Sequence, residues 1–345
     1  MIKPKPKNQD GKELAKSRDA DSLLLFTEYE SVKIAAILSG GRLIRVFAGG
    51  EDLPYGSVAI AKISEIKKDI GSAFLLLKDK QKAYIPLKEC TPDVNLSNPG
   101  KECKCGDNLL IRIKKEPARG KLATATTSFT ESERSEYAFD KYRTDFSVLK
   151  YGEDYIDKAL IEASGLENLR IITDKEDIFE QLKERLERSD QTFDADSLHL
   201  YKDELVKLNV LYGLNGKISD ALSRKVLLKS GACICIDQTE AMVVIDVNSG
   251  KSSSKKKADE EFLAINKEAG EEIVRQIVLR NLSGIILIDF INLKTKESKD
   301  ELFTLMKEWS TKYGAELHVE DYTLLGIMEV TRRKRGKTLF EQLRG

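Results

Sequence analysis

The sequence predicts a mixed α/β fold of the α+β type, in which a small β unit precedes a layered α/β unit. Short apolar or alternating runs, separated by Gly and Asp turns, recur over residues 23–130 and are typical of a small antiparallel β structure. Apolar runs at 232–236, 242–247 and 285–288 then flank a helical pattern at 259–280. Strand, long helix and strand in this order indicate a crossover connection onto a layered sheet.

The composition is that of a globular chain: 345 residues, 41% hydrophobic, with 57 basic and 57 acidic residues. This length predicts two domains, or one with an appendage, and the composition excludes collagen-like and wholly disordered classes. The longest apolar runs, such as 284–288, are far shorter than the roughly 20 residues of a membrane-spanning helix, and the amino terminus lacks a signal peptide's apolar core. Five cysteines, an odd number, fit a reducing compartment. We therefore expect a cytoplasmic protein without a membrane partner.

Residues 1–21 are polar and Lys-rich, with two prolines that oppose regular structure, and are predicted to form a flexible arm.

Small β-barrels such as the one predicted next commonly bind single-stranded nucleic acid, with aromatic platforms for bases and Lys or Arg along the backbone. Phe74 and Tyr84 are candidate platforms, and Lys121, in the basic loop 114–121, is a candidate phosphate contact. Strand aromatics also fill cores, so a core role for each ring stays open.

Residues 131–194 are predicted to be helical, because Ile178, Leu182 and Leu186 repeat at helical spacing. The α/β pattern begins near residue 197 and continues to the carboxyl end. Its predicted elements are a helix at 216–225, a tight turn at 238–240, a helix at 259–280, a strand at 285–290, a helix near 302–309 and a strand at 316–319.

Asp246 and Asp289 each end an apolar strand of this later unit. A carboxylate at the end of a buried strand costs free energy unless it is hydrogen-bonded, paired or ligated. If the crossover places these strands side by side, both carboxylates emerge at one sheet edge, with Asn248 on the same face as Asp246. Such oxygen ligands suit Mg²⁺ or Mn²⁺, which would activate water and neutralise a phosphodiester. The alternative for Asp246 and Asp289 is that each forms a turn or caps a helix. Asp237 has the same placement, and we predict that it lies in a turn or supports the metal ligands without binding the metal.

A basic segment near the carboxyl end follows a predicted helix at 325–330 and contains Arg332, Arg333, Lys334, Arg335 and Lys337. Such a cluster would contact phosphates with salt-dependent affinity and without base selectivity. The alternative is a solvated helix face.

Zinc sites and nucleotide-driven motors are not expected. The pairs Cys103/Cys105 and Cys233/Cys235 have one intervening residue rather than the two to four of a zinc knuckle, and the chain has only two histidines. Few histidines also give a Ser-His-Asp mechanism little basis. No Gly-x-x-x-x-Gly-Lys-Ser/Thr string occurs.

Three segments, in order, resemble the catalytic core of the bacterial RNase E/G endoribonucleases, closely over residues 197–343 and more thinly over 63–90. The strings that carry the resemblance are Val244-Ile245-Asp246-Val247-Asn248-Ser249-Gly250, Gly284-Ile285-Ile286-Leu287-Ile288-Asp289-Phe290 and Leu325-Gly326-Ile327-Met328-Glu329-Val330. It implies an RNase H-like subdomain with an inserted S1-type OB-fold β-barrel, followed by a DNase I-like catalytic subdomain. The implied parts are 22–57 (RNase H-like, first part), 58–130 (barrel), 131–196 (shortened helical connection) and 197–345 (catalytic subdomain).

In that family two aspartates and an asparagine hold the Mg²⁺ that directs hydrolysis of single-stranded, A/U-rich RNA, leaving a 5′-phosphate. The resemblance implies these roles for Asp246, Asp289 and Asn248. It also implies that RNA contacts Phe74, Tyr84 and Lys121 of the barrel.

The chain departs from the family pattern in two places. It lacks the Gly-x-Ile-x-Arg-Thr string that recognises a 5′-monophosphate, and Arg143-Thr144 has no preceding apolar strand, so we expect no sensing of the 5′ end. It also stops at Gly345, before the family's Cys-Pro-x-Cys zinc-link would begin. A zinc-linked tetramer is therefore not expected, whereas a homodimer through other surfaces stays open.

These features favour an Mg²⁺-dependent endoribonuclease of RNA processing or decay. A catalytically inactive RNA-binding protein of the same family is the alternative. Retention of Asp246, Asn248 and Asp289 argues against it, because buried carboxylates without a role cost stability. A third hypothesis is a metal-dependent nuclease that acts on DNA. Competition between DNA and RNA would distinguish it from a ribonuclease, because contacts to the 2′-hydroxyl select RNA.

Overall fold

The computed structural model describes residues 22–50, 53–117, 121–137, 147–188, 193, 197–203, 205–250, 258–334 and 336–344. The chain divides into two compact units. The sheet unit combines residues 22–48 with Glu162–Arg344, and the barrel unit is Gly49–Ile161. The predicted arm at 1–21, the pair Arg143-Thr144 and the basic residue Arg335 lie outside the described residues.

The strands are β1 (Ser22–Tyr29), β2 (Val32–Ser39), β3 (Arg42–Ala48), β4 (Val58–Lys67), β5 (Ser72–Leu76), β6 (Lys82–Pro86), β7 (Asn108–Lys115), β8 (Ala123–Thr126), β9 (Val148–Lys150), β10 (Leu169–Thr173), β11 (Leu198–Leu200), β12 (Lys225–Leu227), β13 (Cys233–Gln238), β14 (Met242–Asn248), β15 (Gly284–Asp289), β16 (Leu317–Tyr322) and β17 (Met328–Arg332). The helices are α1 (Glu131–Glu136), α2 (Tyr155–Ala163), α3 (Glu176–Arg188), α4 (Leu208–Leu211), α5 (Leu214–Leu222), α6 (Ala258–Leu279), α7 (Lys296–Lys312) and α8 (Leu339–Arg344). None of the helices within the described residues is long and apolar enough to cross a membrane.

The first sheet of the sheet unit has five strands in the order β11-β10-β1-β2-β3. β1 pairs antiparallel with β2 and parallel with β10, and its apolar run over residues 23–26 is fully buried, as expected of a central strand. The prediction that residues 131–194 are helical is wrong for β9 and β10. β10 has only five residues, and its buried Ile171 and Ile172 gave a weaker signal than the amphipathic helix α3 that follows.

The second sheet has six strands in the order β12-β13-β14-β15-β17-β16. The long helix α6 connects β14 to its parallel neighbour β15, so the predicted crossover is confirmed. Helices α6 and α7 pack their apolar sides against one face of this sheet, where Ile245, Ile286 and Met328 are buried. Alternate residues of β13, β14 and β15 point to the opposite face, which we call the open face, and Ile285 there is 49% exposed.

The helix predicted at 325–330 is not present within these described residues. The first half of this range is a connection, and the second half begins β17. In β17 the buried Met328 and Val330 alternate with the exposed Glu329, which is the two-residue period of a half-buried strand. β17 pairs antiparallel with both β15 and β16. Its residues therefore belong to the sheet that carries Asp289.

The barrel unit contains a closed five-stranded barrel of the OB type. The strand order is β5-β6-β8-β7-β4, and an additional pairing of β4 with β5 closes the circle, while β9 extends from β4. Apolar side chains such as Ile63, Leu75, Ile85 and Ile111 fill its interior. The predicted small β unit is thus confirmed, although β6 and β8 pair in parallel.

Candidate active site

Asp246 and Asp289 lie side by side at the carboxyl ends of β14 and β15. The two strands run parallel, and Asp246 is the register partner of Asp289. Neighbouring strands are about 4.8 Å apart, and register partners point to the same face, so the two carboxylates share one corner of the open face. Asp246 is half-buried and Asp289 is exposed. The predicted adjacency of the two residues is confirmed.

Asn248 lies on the same face, two residues beyond Asp246. Its Nδ2 donates a hydrogen bond of 2.5 Å to Oδ2 of Asp246 and lies 4.0 Å from Sγ of Cys235, which is opposite Asp246 on β13. The amide nitrogen, rather than the carbonyl oxygen, therefore faces the carboxylate. In this arrangement Asn248 holds one Asp246 oxygen in place.

Gly250 and Asn266 fix the backbone that follows Asp246 and Asp289, respectively. Neither residue was assigned a role from the sequence. Gly250 has φ of 73°, and a Cβ there would lie 2.8 Å from the carbonyl oxygen of Gly231, so only glycine fits the end of this strand. Asn266 on α6 is fully buried. Its Nδ2 donates to the carbonyl of Ile291 at 2.7 Å, and its Oδ1 accepts from the Ile291 amide at 3.0 Å. Asn266 thus holds the chain just after Asp289 against the helix that makes the crossover.

The donor set fits a hydrated divalent cation. Within the described ranges, no group of three or more His, Cys, Asp or Glu is arranged to enclose a metal. Mg²⁺ does not need such a cage, because it binds through one or two carboxylates and keeps several waters. Like charges directly opposite each other on neighbouring strands repel, and a cation between Asp246 and Asp289 would remove that repulsion.

A second charged pair lies on the open face beside this corner. Nε and Nη2 of Arg224 donate to the two carboxylate oxygens of Asp237 at 2.5 and 2.6 Å, and this hydrogen bonding holds the pKa of Asp237 below its usual value. Asp237 lies within β13, opposite Val244, so the predicted turn is wrong for this residue. Arg224, which the sequence did not single out, is its partner.

The barrel places its two candidate aromatic platforms next to each other. Phe74 on β5 is the register partner of Tyr84 on β6, and both are half-buried. Lys67 Nζ lies 5.3 Å from the centre of the Phe74 ring. Lys121 is exposed just before β8, which pairs with β6 at Tyr84. One face of the barrel therefore combines aromatic surface with positive charge.

The basic segment is not the continuous surface that the sequence suggested. Arg332 is only 3% exposed, and its guanidinium donates to the carbonyls of Ala315 and Leu282 and to the side chain of Asn281. As the last residue of β17 it follows Met328 and Val330 on the inward-facing side. The prediction that Arg332 contacts phosphates is therefore withdrawn, whereas Arg333 and Lys334 are exposed.

Comparisons with known proteins relate the sequence to one family of ribonucleases. The model of the Ribonuclease E/G family matches residues 109–335, which is more than half of the chain. Ribonuclease G of Haemophilus influenzae is 33% identical over 202 residues, covering 58% of this chain and 40% of the relative. Ribonuclease E of Nostoc sp. is 31% identical over 197 residues, or 56% of this chain and 28% of the relative. Ribonuclease G of Escherichia coli is 37% identical over 124 residues, or 36% and 25%.

The chain belongs to the Ribonuclease E/G family. It spans 40% or less of the length of these relatives.

Proposed function

We propose that this protein is a divalent-cation-dependent endoribonuclease that hydrolyses single-stranded RNA in cytoplasmic RNA processing or decay, leaving 5′-phosphate ends. The observation that carries the proposal is the pairing of Asp246 with Asp289 at the ends of two parallel strands, in a member of the Ribonuclease E/G family. The names of the relatives support RNA as the substrate.

Asp246 and Asp289 would hold Mg²⁺, and Mn²⁺ has the same preference for oxygen ligands. Bound there, the ion would supply a water of lowered pKa and neutralise charge on the scissile phosphate. Asn248 keeps the Asp246 carboxylate in one orientation through its hydrogen bond to Oδ2. Asn266 keeps the backbone beyond Asp289 in register with α6.

The remaining proposed residues bind RNA without taking part in the chemistry. In the barrel, Phe74 and Tyr84 would stack on bases and Lys121 would contact a phosphate, as single-strand-binding barrels do. In the sheet unit, Arg333 and Lys334 would contact phosphates. We propose the S1 type for the barrel, an RNase H-like subdomain for the five-stranded sheet and a DNase I-like subdomain for the six-stranded sheet.

We also propose that cleavage is independent of a 5′-monophosphate, because the sequence lacks the string with which the family recognises it. The test uses the purified full chain and an A/U-rich single-stranded RNA labelled at the 3′ end, carrying either a 5′-monophosphate or a 5′-hydroxyl. Each RNA is incubated with Mg²⁺ or with EDTA. Asp289→Asn tests the site, and Asp220→Asn, an exposed aspartate on α5, is the matched control.

The expected result is internal cleavage that requires Mg²⁺, proceeds at the same rate on both RNAs, is lost in Asp289→Asn and is unchanged in Asp220→Asn. Tight RNA binding without cleavage would replace this proposal with a catalytically inactive RNA-binding protein. Equal cleavage of DNA of the same sequence would contradict RNA specificity. Faster cleavage of the 5′-monophosphate RNA would overturn the independence from the 5′ end.

A further inference from the structure

A cavity near the end of β13 contains a buried cation that the proposed cleavage site does not use. The cavity has a volume of about 290 Å³, at the lower end of the range of small-molecule sites. It lies between the end of α5, β13, the residues after α6 and the start of α8, all within the sheet unit. We call it the Arg280 cavity.

Arg280 is 8% exposed, and its Nε donates a hydrogen bond to Oε1 of Gln276 at 2.7 Å. Its Nη2 is buried and has no hydrogen-bond partner within the part of the chain that the structure describes. Burial opposes the charged form and lowers the pKa of Arg280 to about 10, so the guanidinium is still charged at neutral pH. Arg280 lines the cavity, so an anion bound there would add to the nearby charge of Glu272 in offsetting the free energy lost by burying the guanidinium.

The other walls suit a ligand that is more than a simple anion. Arg224 brings a second guanidinium, whose charge Asp237 balances. Leu222 and Leu339 line the cavity with apolar surface, and the ring of Phe340 is 56% exposed. An exposed aromatic ring beside a cationic pocket is the combination that binds a nucleobase together with its phosphate.

We infer that the Arg280 cavity binds a nucleoside monophosphate, with the phosphate at Arg280 and the base against Phe340. Inorganic phosphate would satisfy Arg280 but would leave the apolar walls and the Phe340 ring uncovered. The cavity includes the Arg224–Asp237 pair, which lies beside the acidic corner, but none of its lining residues is a proposed metal ligand. The inference therefore does not depend on the proposed cleavage reaction.

Isothermal titration of the full chain with AMP, inorganic phosphate or adenosine tests the inference. All three titrations are made in EDTA, so that no metal at Asp246 and Asp289 contributes phosphate binding. The expected result is one AMP per chain, at least tenfold weaker binding of phosphate and no measurable binding of adenosine. Asp289→Asn should bind AMP as the unaltered protein does, which separates this site from the cleavage site.

Two variants with matched controls locate the ligand. Arg280→Met should weaken AMP binding by about tenfold or more, because it removes a charge-assisted contact. Phe340→Ala should weaken AMP binding by about fivefold and leave phosphate binding unchanged. The controls are Lys307→Met, an exposed cation on α7, and Tyr151→Ala, a 65% exposed aromatic residue, and both should bind AMP normally.

Circular dichroism shows whether Arg280→Met is folded. If it is not, Phe340→Ala still decides the question, since its exposed ring contributes little to folding. Absence of AMP binding to the unaltered protein, equal affinity for AMP and phosphate, or normal AMP binding by Phe340→Ala would each overturn the inference.

Discussion

The sheet unit and the barrel unit assemble their candidate functional residues in different ways. In the sheet unit, Asp246 and Asp289 are separated by the 22-residue helix α6 and meet only because parallel pairing aligns the ends of β14 and β15. In the barrel unit, Phe74 and Tyr84 are close in sequence and meet across the antiparallel pair β5–β6. One arrangement concentrates negative charge, and the other combines aromatic surface with the cation of Lys67.

Under the proposed function, this difference separates the residues of the chemical step from those that bind RNA. Two adjacent carboxylates repel each other and repel RNA, so they would contribute little to affinity and would act only with a bound cation. Aromatic rings beside a lysine attract single-stranded RNA but offer no group that could cleave it. Changes in the two units should therefore alter different kinetic parameters.

The largest expected effect comes from the carboxylates. Asp246→Asn and Asp289→Asn preserve side-chain volume but remove the charge that would hold a divalent cation, so kcat should fall on the order of a thousandfold or more. The double variant should be about as inactive as each single variant, because the two residues act as one unit. Single-turnover cleavage measures the rates, and fluorescence anisotropy in EDTA should show no loss of RNA affinity. A double variant much slower than either single one would mean that the aspartates act separately.

The next largest effect is expected at Asn266, which holds the backbone just after Asp289. Asn266→Ala leaves the amide and carbonyl of Ile291 without their buried partner, which should lower the free energy of unfolding by about 2–4 kcal/mol. Urea denaturation measures this loss, with Asn215→Ala on the exposed side of α5 as the control.

If Asn266 also positions the acidic corner, the folded fraction of Asn266→Ala should need more Mg²⁺ for half-maximal cleavage than the unaltered protein. Asn266→Asp, which would bury a carboxylate oxygen against the Ile291 carbonyl, should not reverse that difference. An unchanged Mg²⁺ dependence would limit Asn266 to a role in stability.

In the barrel unit the expected changes are in affinity. Phe74→Leu and Tyr84→Leu keep apolar volume in the half-buried positions but remove the stacking surface, so each should weaken RNA binding by about tenfold. Cleavage at saturating RNA should stay near that of the unaltered protein. Tyr151→Leu, at an exposed position of the same unit, is the control. Loss of kcat without loss of affinity would contradict the division between the two units.

The acidic corner could be predicted from the sequence because its determinants are local. Two apolar strands that end in aspartate, with a long amphipathic helix between them, require a crossover, and a crossover aligns the carboxyl ends of parallel strands. Asn266 and Arg224 could not be found in this way. Their roles depend on which side chains of other elements they contact, namely the backbone of Ile291 and the carboxylate of Asp237.

Arg332 shows how one wrong secondary-structure prediction leads to a wrong prediction of which residues are exposed. With a helix predicted at 325–330, the basic residues that follow appear as a continuous surface cluster. In the strand β17, the two-residue period places Arg332 with Met328 and Val330 on the inward side, where backbone carbonyls surround its guanidinium. The alternation was present in the sequence, but five residues are too few to distinguish it from a helical pattern.

The smallest expected effect distinguishes these two neighbouring arginines. Arg333→Gln removes one exposed charge, so the slope of log affinity for single-stranded RNA against log salt concentration should become shallower by about 0.7, with stability unchanged. Arg332→Met should leave the salt slope as it is and lower the free energy of unfolding by about 2–4 kcal/mol, because several buried acceptors lose their donor. RNA titrations at several salt concentrations and urea denaturation of both variants measure the two quantities. A shallower slope for folded Arg332→Met would return that residue to the RNA-binding surface.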